Sequence, residues 1–71
     1  MARALTHAEV QRASCLESAA RWRAQAGHVR DHAECLERRG QPGDAACAAR
    51  LRREAEACER QAAWWLEGIA A

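Results

Sequence analysis

Apolar side chains recur along most of this chain at alternating steps of three and four. Leu5, Ala8, Arg12, Cys15, Ala19, Trp22, Ala26, Val29, Ala33 and Leu36 form one series, with Arg12 its single polar member. Ala48, Leu51, Ala55, Cys58, Ala62, Trp65 and Ile69 form a second. On an α-helix this spacing makes a narrow seam with polar residues on the opposite side. The series are separated by Gly40-Gln41-Pro42-Gly43, a helix-stop signal: glycine ends a helix and proline cannot continue it. Upstream, Thr6-His7-Ala8-Glu9 has the spacing at which cap side chains satisfy each other's orphan backbone donors. Downstream, Asp44 places a carboxylate at the positive end of a new helix. The pattern predicts a helix over about 7–39, a turn at 40–43 and a helix over about 44–68. The phase of the first series runs undisturbed through Gly27, so one long helix is expected; a break at Gly27 is the alternative. Thr6, Val10, Val29 and Ile69 are the sole β-branched residues, which argues against strands.

Folding the chain back at residues 40–43 brings the two seams together. Pairing positions that sum to 84 sets Leu36 on Ala48, Ala33 on Leu51, Val29 on Ala55 and Ala26 on Cys58. Further out it sets Trp22 on Ala62, Ala19 on Trp65 and Cys15 on Ile69. Nearly every layer opposes a small residue to a larger one, which lets two helices approach closely and still fill space. The expected fold is all-α: residues 1–71 form one domain, an antiparallel helical hairpin.

Composition adds a constraint. The chain is 49% hydrophobic, but nineteen of its 71 residues are alanine. Few large apolar side chains remain, at roughly 1.5–3 kcal/mol each when buried, so the hairpin alone has a thin core. A partner subunit, a metal or a disulfide is expected to supplement it. Eleven arginines against ten acids leave a net charge of +1, which argues against a nucleic-acid binder relying on a strongly basic surface. No apolar run is long enough to cross a bilayer, and the N-terminus lacks the apolar core of a secretion signal. A cytoplasmic protein is the expectation, with its four cysteines as thiols or ligands before disulfides. Arginine without lysine, beside abundant alanine, fits the codon usage of a GC-rich bacterial genome.

Cys15 and Cys58 lie on the seam eleven residues out of register, about 16 Å along a helix. A disulfide needs α-carbons within about 7 Å, so these two read as small buried hydrophobes. Cys35 and Cys47 bracket the turn on one flank, and His28 and His32 share it. The pattern His-x3-His-x2-Cys-x11-Cys offers two imidazoles and two thiolates, a tetrahedral set suited to zinc or copper. Asp31 and Glu54 could orient such ligands. A disulfide between Cys35 and Cys47, or exposed histidines beside incidental thiols, are the other readings. The stretch His28-Val-Arg-Asp-His32-Ala-Glu-Cys35 resembles the His-x3-Cys-x2-Cys helix of zinc-binding anti-sigma factors, with His32 in place of the middle cysteine. That resemblance implies a redox-sensitive zinc held by this helix and a sigma factor gripped by following helices. The upstream ligand the family uses has only His7 or Cys15 to supply it.

Two surfaces stand out as contact regions. Toward the open end, Val10, Ala13, Leu16, Ala20, Ala63, Trp64 and Leu66 exceed what a two-helix seam needs. The first helix also overhangs the second by about a dozen residues, since position 13 falls opposite position 71. Both features point to a homodimer, two hairpins closing as a four-helix bundle, and to a further protein partner. At the turn, Arg38, Arg39, Arg50, Arg52 and Arg53 cluster, either as a docking tip for an anion or acidic partner or as a solvated face paired with neighbouring glutamates. No nucleophile–base arrangement or glycine-rich loop is evident, so the expectation is a non-enzymatic interaction module, regulatory or adaptor in role. A metal-binding or metal- and redox-sensing helical protein is the alternative.

Overall fold

The computed structural model describes residues 3–70; the single-domain expectation for 1–71 also includes residues 1, 2 and 71, which lie outside the described residues. Two helices account for the fold, α1 (His7–Arg39) and α2 (Asp44–Ala70), and no strand occurs among the described residues. α1 passes through Gly27 without interruption. At its start Thr6 is extended (φ −72°, ψ 161°), and its hydroxyl oxygen accepts the Glu9 amide at 3.2 Å. The cap is only half reciprocal. The Glu9 carboxylate accepts from the Arg3 guanidinium at 2.7 and 3.1 Å and from the Thr6 hydroxyl at 3.1 Å.

The turn is built from the two glycines and a carboxylate. Gly40 adopts the left-handed conformation (φ 65°) and donates its amide to the Leu36 carbonyl, closing α1. Gly43 also has positive φ (87°), so both positions use backbone freedom that L-residues lack. Asp44 opens α2, but its carboxylate points back across the turn. It accepts the Gln41 amide at 3.0 Å and both Nε and Nη2 of Arg39, at 2.8 and 2.7 Å. The guanidinium holds the Asp44 carboxyl well below its usual range, at about 2. One residue thus joins the last turn of α1 to the first turn of α2.

α1 and α2 pack antiparallel in the register expected from the seams. Ala26, Val29, Ala55 and Cys58 form one buried cluster, and Ala33, Leu36 and Ala48 form the next, with Leu51 packed against both. The layering differs from a simple alternation of large and small. Ala26, Ala33 and Ala48 are fully buried, whereas Trp22 is 37% exposed and no large side chain among the described residues is fully buried. Alanines at the contact let the helices approach closely, which favours placing an indole at the seam edge rather than between them. Val29 and Leu36 are buried, Leu51 and Trp65 are half-buried, and Trp22 leans out at the seam edge, so the core is as thin as composition suggests.

The ion pairs identify one flank of the seam. Arg30 donates to Glu59 at 2.6 Å, and Arg52 holds Glu37 in a two-pronged contact. In an antiparallel pair such contacts join equivalent flanking positions of the two helices. The seven-residue repeat then assigns Leu16, Arg23, Arg30 and Glu37 of α1, with Arg52, Glu59 and Leu66 of α2, to this charged flank.

Candidate functional site: the open end of the hairpin

α1 outruns α2 as expected: from Arg3 to Ser14 every residue is exposed except half-buried Glu9, and full burial begins at Ala19. Leu5 is 62% exposed, Val10 50%, Leu16 45% and Trp64 61%. Large apolar surface is therefore concentrated at the open end. Ala13, Ala20 and Ala63 are exposed there too, and Leu66 is half-buried.

These residues do not form one strip. Leu16 and Leu66 belong to the charged flank, with Ala13, Ala20 and Ala63 beside them, while Val10 points away from the seam. Trp64 lies across the seam on the other flank, where its ring meets Trp65 edge-on with centroids 5.0 Å apart. An open groove of about 770 Å³ runs along that flank, lined by Ala8, Gln11, Arg12, Cys15, Trp64, Trp65, Glu67, Gly68 and Ile69. A smaller one of about 410 Å³ lies nearer the middle, lined by Ser18, Arg21, Trp22, Gln25 and Trp65. All three tryptophans thus lie along one flank. Sequence spacing carried this signal, because Trp22 and Trp65 occupy equivalent seam positions and Trp64 is one step outward on the same side.

The turn end is chemically different. Arg39 and Arg52 are engaged with Asp44 and Glu37, and Arg38 lies 4.0 Å from Glu34. These contacts lower the carboxyl pKa values of Asp44 and Glu37 and raise those of the Arg39 and Arg52 guanidinia. Arg50 approaches its own helix, donating to the Cys47 sulfur at 3.7 Å. Arg53 is exposed, and no ion pair involves it among the described residues. Three of the five tip arginines are thus already matched to carboxylates.

His28, His32, Cys35 and Cys47 share a flank but not a centre. His28, His32 and Cys35 are exposed, whereas Cys47 is half-buried and packs inward against Ala33, Leu36 and Ala48. The Cys35 sulfur accepts from Arg38 at 3.4 Å. Among the described residues no three His, Cys, Asp or Glu side chains converge as a metal site would require. All four cysteines, including the out-of-register Cys15 and Cys58, are free thiols. His7, the upstream position the anti-sigma resemblance would use, sits exposed in the first turn of α1. No helix among the described residues is long and apolar enough to cross a membrane. No protein-family model, curated protein or solved structure matches this chain.

Proposed function

We propose that this chain is a small non-enzymatic protein–protein interaction module, regulatory or adaptor in role, working in the cytoplasm as a homodimer that completes a four-helix bundle. The observation that carries the reading is the polarity of the hairpin along its length. One end is closed by the Arg39–Asp44 and Arg52–Glu37 contacts, and the other presents Leu5, Val10, Leu16 and Trp64 to solvent. Apolar side chains gathered at one end of a small hairpin are what a binding surface needs, with tryptophan the anchor most often central to such contacts. The open grooves do not wall off a reaction centre, which supports binding over catalysis.

Affinity capture from the native host tests this reading, with wild-type bait beside bait carrying Leu16→Glu and Trp64→Glu. Both positions are exposed, so the variant keeps its fold. Proteins held by the first bait and lost from the second are the expected outcome. Equal retention by both would remove the open end as the contact surface.

A further inference from the structure

We propose that the tryptophan-lined flank is the self-association face, and that its occupant is a second copy of this chain presenting the same flank about a two-fold axis beside Trp65. This rests on the reading of the protein as a self-associating module and names which of its two flanks does the work. Three observations carry it.

The first is chemical. In the outer half of the hairpin the register sets Gln11 beside Gly68, Ser18 beside Gln61 and Gln25 beside Glu54 on this flank. The opposite flank carries Arg23, Arg30, Glu37, Arg52 and Glu59, with two ion pairs already formed across it. A two-fold interface sets a patch against itself, so residue i meets j and j meets i. Five of these six positions are uncharged, and the charges lining the grooves, Arg12, Arg21 and Glu67, are of both signs and in no ion pair among the described residues, so they are free to pair across the axis. The charged flank would have to break or desolvate its existing pairs to do so.

The second is shape. Trp65 lines both grooves, which lie to either side of it. An axis passing beside it offers the groove on either side of Trp65 to the other copy's protruding Trp64. That side chain, 61% exposed, is the largest unburied apolar group on the flank.

The third is area. The chain exposes 5459 Å², where a compact monomer of its mass exposes roughly 4,400 Å² by surface–mass scaling. The surplus of about 1,000 Å² is enough for the roughly 800 Å² that each partner buries in a standard stable interface; it supports self-association, and the first two observations choose the flank.

The test uses the full chain under reducing conditions and follows sedimentation and tryptophan emission together through a dilution series at micromolar concentrations. The expected result is a dimer whose emission maximum moves to longer wavelength as it dissociates, because every tryptophan lies on the buried flank. Trp64→Glu and Gln25→Glu, both at exposed positions, weaken the dimer roughly tenfold or more with helicity retained, whereas Leu16→Glu changes it by less than about threefold. A dimer with constant emission that Leu16→Glu dissociates would place the interface on the charged flank and overturn this assignment, leaving the module reading intact. A monomer at every concentration would overturn self-association itself.

Discussion

Replacing Ala26 with leucine tests the packing argument most directly. Ala26 is fully buried within the cluster of Val29, Ala55 and Cys58, where α1 and α2 approach closely. Leucine adds three carbons, which would favour the folded state by about 2.4 kcal/mol if space existed for them, at about 0.8 kcal/mol per buried methylene. The seam holds no such space, because its alanines set the spacing. The helices must part, uncovering neighbouring layers at Ala19 and Ala33, and overpacking of this kind destabilises by roughly 1–3 kcal/mol. For a domain of this size each kcal/mol moves the midpoint by about 4–8 °C, so a fall of roughly 5–20 °C is expected. Ala24→Leu is the control: it lies two residues away on the exposed side of α1 and should stay within about 0.5 kcal/mol of wild type. Thermal unfolding by far-ultraviolet circular dichroism, with all variants at one protein concentration, measures both. Equal midpoints for the two variants, or a rise for Ala26→Leu, would refute a close-packed alanine seam.

Gly27→Ala is expected to raise stability by about 1 kcal/mol, since the helix is continuous there and an added Cβ meets nothing within 4 Å; a lower midpoint would show that the glycine serves a contact. Gly43→Ala should lower it, because φ is 87° at that position. Asp44 contributes pH dependence. Its pKa falls from 3.8 to about 2 on folding, so its stabilisation is present above about pH 4 and lost as the pH drops toward 2. Acid titration of Asp44→Asn should lack that component of the wild-type curve, and superimposable curves would count against the contact with Arg39. The histidine–cysteine set is checked by elemental analysis of reduced protein: no stoichiometric zinc or copper and no thermal shift on adding either is expected, whereas a stoichiometric metal would show that His28, His32, Cys35 and Cys47 rearrange to bind it.

The hairpin was legible because each of its determinants is local or periodic. Gly40, Pro42 and Gly43 punctuate the chain, Thr6 caps it, and a seam repeating every seven residues fixes both the buried face and the register. The same repeat also separates the flanks once the seam is known. Trp64 and Leu66 flank the seam residue Trp65 on either side in sequence, and one step each way along a helix leads to opposite flanks of the hairpin. Leu66 therefore sits with Leu16, Ala13, Ala20 and Ala63 on one flank, and Trp64 on the other. The histidine and cysteine positions show what spacing does not give. Their common flank follows from spacing, but convergence depends on where side chains point, and Cys47 turns into the seam toward Ala33 and Leu36. The inward carboxylate of Asp44 was also beyond a helix-dipole argument, because its partner Arg39 lies in the preceding helix.

The stapled turn has a kinetic consequence. Leu36 and Ala48 are close in sequence, while Ala19 and Trp65 are far apart, so each layer outward closes a larger loop unless the one before it has formed. With Gly40, Gly43 and the Arg39–Asp44 clasp shaping the bend, folding should zip from the turn toward the termini. Amide hydrogen exchange should then show protection greatest around residues 29–55 and decaying outward, which leaves the tryptophan-bearing end the last to order and the first to open.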